Sequence, residues 1–224
     1  MGSVDEIEEW TRAQERVIAL LQGATAEQAE TRVPACPDWT VRDLLAHVVG
    51  LGADVVAGNE VDDHNEDWTR AQVEARRDHA VADVLAEWRD LTAPMREWMA
   101  EHGTRPLGDV IIHEQDLRGA VGVPGGKDTD GLRAIRDRFV PRLGARLGEL
   151  PPLALVGEDW TWTSGGDPDD AHVVLQSTDF DLARALVTRR SAAQLRSWTT
   201  RGDVGPYLDA FALLGPLPAE DLTE

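Results

Sequence analysis

The sequence contains little cysteine and no long apolar run. Its single cysteine, Cys36, excludes an internal disulfide and favours a reducing, intracellular compartment. No stretch approaches the roughly 20 apolar residues that a membrane helix needs. No apolar run follows a basic segment near the start, so we expect no signal peptide. Together these absences predict a cytoplasmic protein that does not enter a membrane.

Positive charge is also scarce. Lys127 is the only lysine, and 22 basic residues stand against 41 acidic ones, which gives a formal net charge of −19. Such a chain is repelled by nucleic-acid backbones and by anionic membranes. We therefore expect small-molecule partners, with no nucleic acid and no membrane. A chain of 224 residues is long enough to bury a substantial core around a small-molecule site.

Apolar residues at helical spacing predict a bundle over the first two thirds of the chain. Ser3 and Glu6 form a capping-box pattern at its start, and Thr104 is the expected cap of a later helix. Pro94 predicts a kink or a break. Residues 31–39 contain two prolines and predict a rigid loop. The predicted helices cover 3–22, a segment from Thr40 through Val55, 69–101, 106–120 and 130–148.

The pattern changes at Pro151-Pro152, which we interpret as a linker. Beyond it, short alternating segments predict strands, and longer ones predict helices. The expected fold is mainly α with an α+β C-terminal part: a helical bundle over 1–149 and a small α/β domain over 150–224. The predicted strands are 153–156, 160–163, 173–176 and 195–200, and the predicted helices are 179–188 and 206–214.

Three polar residues on apolar helices form the candidate site. Asp109 and His113 are four residues apart on a helix with apolar residues between them, so they share one face. His47 lies on the apolar stripe of another helix. Helical bundles bind metals through such inward-facing ligands, and two imidazoles with one carboxylate leave open positions for water or substrate. The alternative is that these are hydrogen-bonded core residues. Asp116 is an alternative carboxylate ligand or a partner that orients His113.

Two residues of the proline loop, Cys36 and Trp39, have side chains that a functional site could use. Cys36 stands between two prolines with no base nearby in the sequence, and we interpret it as structural rather than nucleophilic. Trp39 is expected to pack the loop onto the bundle or to line the mouth of the site. The tryptophans at 160 and 162 are expected to be strand side chains, not a platform for nucleic-acid bases.

Three segments, taken in order, resemble the mycothiol-dependent maleylpyruvate isomerase family of the DinB-like superfamily. They are Val33 to His47 (VPACPDWTVRDLLAH), Asp109 to Gly122 (DVIIHEQDLRGAVG), and residues 181–191 with 202–203. The resemblance implies a DinB-like bundle that holds one divalent ion, zinc as the first choice, through His47, Asp109 and His113. The family usually has glutamate where this chain has Asp109, so a shorter side chain stands at one ligand position.

The resemblance also implies a reaction. Members of this type use mycothiol, a sugar thiol of actinobacteria, as cosubstrate, and the ion activates its sulfur. The expected activity is an isomerase or thiol S-transferase that acts on a small electrophile, carboxylated and unsaturated. Arg189, Arg190 and Arg201 are candidates for binding its carboxylates; the catalytic assignment rests on Arg190 and Arg201. The alternatives are a metal-dependent hydrolase or tailoring enzyme, or a non-catalytic metal-binding protein. A monomer and a homodimer are both open.

Overall fold

The computed structural model describes residues 5–61 and 65–224. By their contacts these residues divide into two compact units, one up to Gly126 and one over Lys127–Thr223. The first is built from helices with one small hairpin, and the second combines helices with a four-stranded sheet. The predicted fold class, mainly α with an α+β C-terminal part, is therefore confirmed.

The first unit is a bundle centred on one apolar helix, α3, which packs against α4, α5, α6 and α7. Its buried residues lie on all sides of the helix. The helix α1 packs on α7 and α6. The elements of this unit are α1 (Glu6–Leu21), α2 (Ala26–Ala29), β1 (Arg32–Val33), β2 (Cys36–Thr40), α3 (Val41–Ala57), α4 (Glu66–Glu74), α5 (Val81–Asp90), α6 (Thr92–His102) and α7 (Leu107–Val121).

Two helices begin differently from the prediction, because their N-terminal caps are not the predicted residues. Asp5 caps α1 by accepting a hydrogen bond from the backbone N–H of Glu8, whereas the predicted cap, Ser3, lies outside the described residues. Among the described residues, the N-cap of α7 is Pro106 and makes no side-chain hydrogen bond, while the Thr104 hydroxyl donates to a Glu6 carboxylate oxygen. The prediction for Thr104 was therefore wrong.

The single helix predicted over 69–101 was also wrong, because the chain forms three helices there. The α4 helix ends at Glu74, and the Arg76 side chain turns back to pair with Glu87 and to donate to the backbone carbonyl of Gln72. The break between α5 and α6 falls at Leu91. Pro94 stands in the first turn of α6, where its missing N–H costs nothing. The sequence alone predicted this second break and missed the first.

The proline loop predicted over 31–39 is an antiparallel hairpin in the structure. Val33 pairs with Cys36, and Arg32 pairs with Thr40. Thr40, near which the second helix was predicted to begin, caps α3 in a reciprocal arrangement with Asp43. The hairpin therefore leads directly into the helix that carries His47.

The second unit contains a sheet with strand order β4-β3-β5-β6, in which only the central pair β3–β5 is parallel. The three predicted strands over 153–176 and the helix after them are confirmed. The strand predicted over 195–200 is right only in its last part, because α10 covers 195–197 and β6 begins at Thr199. The last predicted helix is a 3₁₀ helix over Gly205–Phe211. The elements are α8 (Asp130–Leu147), β3 (Leu153–Val156), β4 (Thr161–Thr163), β5 (Val173–Gln176), α9 (Asp179–Leu186), α10 (Ala192–Ser197) and β6 (Thr199–Arg201).

The division into units differs from the domain border predicted at 149/150. The α8 helix packs against α9 and the 3₁₀ helix and belongs to the second unit. The border of the independently folding domains stays a prediction, and fragments can test it. Among the described residues, no helix is both long and apolar enough to cross a membrane.

Candidate metal centre

Two helices bring the three predicted ligands together. The α3 helix carries His47 in its first half, and α7 carries Asp109 in its first turn and His113 one turn later. An acidic residue in a first turn is favoured by the helix dipole. All three side chains are largely enclosed, with exposed fractions of 8% for His47, 17% for Asp109 and 11% for His113.

Asp109 lies between the two imidazoles. Its Oδ1 is 3.6 Å from His47 Nε2 and 3.4 Å from His113 Nε2. The two rings meet edge to face, with centroids 5.4 Å apart and an interplanar angle of 82°. One donor atom from each of the three residues lies within 4.8 Å of the other two. The sequence could predict the pair on α7, and the structure adds that His47 faces it.

These separations fit a shared cation better than direct hydrogen bonds. Hydrogen bonds between nitrogen and oxygen span about 2.7–3.2 Å. Two ligands bound tetrahedrally to one zinc ion at roughly 2.0–2.2 Å stand about 3.4 Å apart. The second carboxylate oxygen, Asp109 Oδ2, is buried without a hydrogen-bond partner in the described structure. The donor set, two imidazoles and one carboxylate, therefore fits a divalent ion with room for further ligands.

Both histidines are oriented through the ring nitrogen that faces away from Asp109. His47 Nδ1 lies 2.8 Å from Gln72 Oε1, and His113 Nδ1 lies 2.9 Å from Asp116 Oδ2. A carboxylate only accepts hydrogen bonds, so His113 Nδ1 donates to Asp116, and when the imidazole is neutral its lone pair is on Nε2. Metal-binding histidines are commonly held by such partners.

Without a cation, the convergence of these groups changes their titration. Burial raises the pKa of Asp109, but the nearby imidazoles of His113 and His47 outweigh this effect and hold the pKa of Asp109 well below its ordinary value. Burial lowers the pKa of His113, but Asp109 and, to a lesser extent, Asp116 raise it to about 9. The site thus attracts positive charge, either a proton on His113 or a metal ion.

Asp116 takes the second of its two predicted roles in this geometry, the partner that orients His113. It is 1% exposed, and its Oδ2 also lies 4.0 Å from the Cys36 sulfur. Donor atoms of Cys36, His113 and Asp116 form a second compact group. Because Cys36 contacts the carboxylate that orients His113, its surroundings are more polar than the proline loop indicated, and only the tertiary fold reveals this.

A cavity of about 550 Å³ adjoins the site through two residues of the hairpin. Cys36 lines it, and so does Trp39, whose ring centroid lies 5.0 Å from that of His47. The three candidate ligands are not part of the cavity wall. Trp39 was predicted either to pack the loop onto the bundle or to line the mouth of the site, and its ring lies against His47 and also lines the cavity. The other lining residues are Pro37, Asp38, Asp43, Glu66, Thr69, Arg70, Val73, Glu74 and Arg77.

The candidate arginines lie in the second unit. Arg190 is 1% exposed, and its Nε and Nη2 bind Asp181 Oδ1 at 2.9 and 2.8 Å. Arg201 is exposed, and its Nη1 donates to the backbone carbonyls of Asp169 and Ala171. Arg189 donates to the carbonyl of Val187. A role in binding substrate stays a prediction for each of them.

Sequence reasoning missed Gln72. It is 3% exposed on α4 and joins His47 to Asp54. The local sequence provides little indication that Gln72 is buried, since a glutamine with Arg70 and Glu74 two residues away on a helix is usually solvated. Its burial follows from the close approach of α4 to Gly50 of α3, where an added Cβ would lie 2.6 Å from Gln72 Cβ.

The fold and the site define a class of protein: a helical bundle with an inward-facing set of two histidines and one carboxylate, followed by a small α/β unit. Within this class, residues 10–118 match the family model described as the mycothiol maleylpyruvate isomerase N-terminal domain. The match covers just under half of the chain, and it agrees with the resemblance found in the sequence motifs that lie within residues 10–118. The matched segment contains all three candidate ligands.

A solved structure supports the fold over most of the chain. The crystal structure of a histidine-to-alanine mutant of a mycothiol-dependent maleylpyruvate isomerase is similar to this protein with a TM-score of 0.59. The similarity covers 90% of this chain and 94% of that chain at 14% sequence identity, so it bears on the fold and not on the reaction. No curated protein sequence matches the chain.

Proposed function

We propose that this protein is a cytoplasmic enzyme that depends on a divalent metal ion and uses mycothiol as cosubstrate. It either isomerises a small electrophilic substrate or attaches mycothiol to that substrate. His47, Asp109 and His113 hold the ion, with zinc as the first choice. One observation carries the proposal: three donor atoms from α3 and α7 converge, while both imidazoles are held at Nδ1 by buried partners. The family of residues 10–118 supports mycothiol as the thiol.

The residues of the site divide the chemical work. A divalent ion bound there lowers the pKa of a coordinated thiol and so supplies the nucleophilic thiolate. Asp109 contributes the negative charge of the ligand set, and Asp116 keeps the hydrogen of His113 on Nδ1. The hairpin places Trp39 between His47 and the cavity, which offers a polar-lined space for a small molecule.

For an isomerase, the balance of bonds is simple. The thiol sulfur forms a bond to one carbon of a cis double bond, and the electron pair of the π bond moves toward the substrate carbonyl group. Rotation about the resulting single bond follows, and departure of the same thiolate restores the double bond in the trans form. For a transferase, the adduct takes up a proton and is the product. Maleylpyruvate is the first substrate to try, because it is the substrate named for the matching family.

We further propose that Arg201 is the better candidate of the two catalytic arginines for binding a substrate carboxylate. Its hydrogen bonds go to neutral carbonyl oxygens, whereas the charge of Arg190 is compensated by Asp181. Arg190 is then expected to act mainly in holding α9 and the loop after it. Replacing Arg201 by Gln should raise KM for a carboxylated substrate more than it lowers kcat.

The first experiment measures bound metal in the untagged protein. The wild-type chain should contain about one equivalent of zinc or a similar ion, the expected number for a single three-ligand site. His47→Ala and His113→Ala should each lose it while keeping the helical circular dichroism. His79→Ala is the matched control, because His79 is exposed. A full equivalent of ion in both site variants would exclude this metal site.

The second experiment tests the thiol. Zinc-loaded protein should convert maleylpyruvate in the presence of mycothiol and be inactive without it, and the metal-free variants should be inactive. If the protein binds zinc but mycothiol changes neither its thermal stability nor its reactivity, the thiol chemistry is wrong and the metal site stands alone.

A further inference from the structure

A chain of hydrogen bonds leads from Asp54 through Gln72 to His47. The amide nitrogen of Gln72 lies 2.8 Å from Asp54 Oδ2, and its amide oxygen lies 2.8 Å from His47 Nδ1. His47 and Asp54 are both on α3, two turns apart, and Gln72 joins them from α4. Gln72 and His47 are almost fully buried. Their hydrogen bonds are therefore shielded from competition with water.

The chemistry of the three groups gives the chain a single direction. A carboxylate accepts hydrogen bonds and donates none, so Asp54 requires the NH₂ end of the Gln72 amide. The oxygen end of Gln72 must then face His47, and an amide oxygen also only accepts. His47 Nδ1 is therefore the donor and carries the hydrogen. The lone pair of Nε2 is left pointing at the side where Asp109 Oδ1 lies, 3.6 Å away.

The packing of α4 on α3 keeps Gln72 in this position. Gly50 lies directly beneath it, with no room for a Cβ, and Arg76 Nη1 donates to the Gln72 backbone carbonyl at 3.1 Å. Arg76 is in turn paired with Glu87 on α5. The backbone of Gln72 is thus clamped from two sides, and the only inexpensive change left to its side chain is rotation of the amide end.

We propose that Asp54 is a positioning residue that acts through Gln72 to set the tautomer of His47, so that Nε2 is ready to bind the metal ion. This inference rests on the proposed function, since it assigns His47 to the ion. The proposed role of Asp54 differs from that of a residue that only holds α3 against α4 in the orientation of the Gln72 amide that it requires. A bond that only joins α3 and α4 works with either end of the amide, whereas the proposed role needs one orientation.

Replacing Asp54 by Asn tests the direction of the chain while keeping its shape. The new amide can donate to the Gln72 oxygen, which frees Gln72 to turn its NH₂ end toward His47. His47 Nδ1 then accepts, and its hydrogen moves to Nε2, where it competes with the metal. In metal-free Asp54→Asn protein, nitrogen-15 NMR of His47 should show an unprotonated Nδ1. Zinc affinity, measured by chelator competition, should fall about 10- to 100-fold, as for other partners of metal-bound histidines.

A second substitution should restore the function by exchanging the partners. In the double variant Asp54→Asn with Gln72→Glu, the carboxylate at position 72 accepts from the new amide and from His47 Nδ1. Zinc affinity and the protonated Nδ1 should return toward the wild-type state. Asp67→Asn is the matched control on α4. Asp67 is exposed and pairs with Arg70, so the same chemical change at this residue should leave zinc affinity unchanged.

The outcomes separate this inference from the proposed function. If His47 Nδ1 is unprotonated in the metal-free wild-type protein, or if Asp54→Asn lowers zinc affinity and the double variant does not restore it, the directional role of Asp54 is wrong. An unchanged zinc affinity in Asp54→Asn also overturns it when NMR shows that His47 Nδ1 has lost its hydrogen. If Nδ1 is protonated as expected in the wild type but zinc does not bind, the proposed metal site fails while the hydrogen-bond chain stands.

Discussion

At the scale of single residues, Asp109 decides what the site can bind. Its Oδ1 lies between two Nε2 atoms that face it, and its Oδ2 is buried with no hydrogen-bond partner among the described residues. Aspartate is one methylene shorter than the glutamate that the family pattern usually has here. The distances of 3.4 and 3.6 Å show that the shorter side chain still reaches both imidazoles. We therefore expect the shorter side chain to serve as a ligand in the proposed metal site.

The charge of Asp109 should control the stability of the metal-free protein at alkaline pH. The raised pKa of His113, about 9 against 6.5 when unperturbed, means that the folded protein holds a proton more tightly than the unfolded chain does. This contribution is complete below about pH 6.5 and is lost as the pH rises through about 9. Urea unfolding of metal-free protein should show the decline.

Asp109→Asn is the control for this prediction. It removes the charge that does most to raise the pKa of His113 and keeps the size of the side chain. The pKa of His113 in the metal-free variant should fall, as measured by NMR, and the loss of stability between these pH values should become smaller. An equal decline in both proteins would show that Asp109 does not control His113.

At the scale of elements, two glycines of α3 have different roles. A Cβ at Gly50 would lie 2.6 Å from Gln72 Cβ and 2.8 Å from Arg76 Nη1, so α4 approaches α3 only because Gly50 has no side chain. At Gly52, an added Cβ would meet Met95 at 3.5 Å, an ordinary contact. The first glycine is thus required by packing, and the second is not.

Gly50→Ala should therefore separate α4 from α3. We expect a loss of about 1–3 kcal/mol in the free energy of unfolding from overpacking, together with weaker zinc binding because Gln72 no longer reaches His47. Gly52→Ala is the matched control, and it should be neutral or stabilise the helix by about 0.5–1 kcal/mol. Urea unfolding and zinc competition measure both effects. Equal behaviour of the two variants would contradict the assigned packing role of Gly50.

At the scale of the whole molecule, the assignment of α8 decides where a domain can be cut. Its buried side chains include Ile135, Phe139 and Leu143, and it packs against α9 and the 3₁₀ helix of the second unit. The double proline at 151–152 predicts a border after α8, whereas the contacts place α8 within the second unit. The two possibilities predict different fragments.

We expect fragment 127–224 to fold cooperatively and fragment 150–224 to stay unfolded, because the shorter one lacks the apolar face of α8 that covers α9. Near-ultraviolet circular dichroism of Trp160 and Trp162, with urea unfolding, distinguishes the two states. If fragment 150–224 has the same cooperative transition as the longer fragment, the border lies at the double proline.

Local sequence by itself determined much of this protein. Apolar spacing predicted α1, α3, α7 and α8, because this signal lies within a few residues of the structure it specifies. The spacing of Asp109 and His113 predicted a shared face for the same reason. The family motifs pointed to the class of the first unit, which agrees with the match over residues 10–118. They also pointed to His47 as a metal ligand, and that assignment stays a prediction.

Only the tertiary structure decided the remaining features, because they depend on contacts between residues far apart in the sequence. The break after Glu74 depends on the bond of Arg76 to Glu87, and the burial of Gln72 depends on the missing side chain of Gly50. The orientation of His47 toward Asp109 likewise depends on a distant contact, the packing of α3 against α7. No local pattern contains these pairs. Local sequence patterns determine most of the helices, whereas the packing of those helices determines the orientation of the imidazoles.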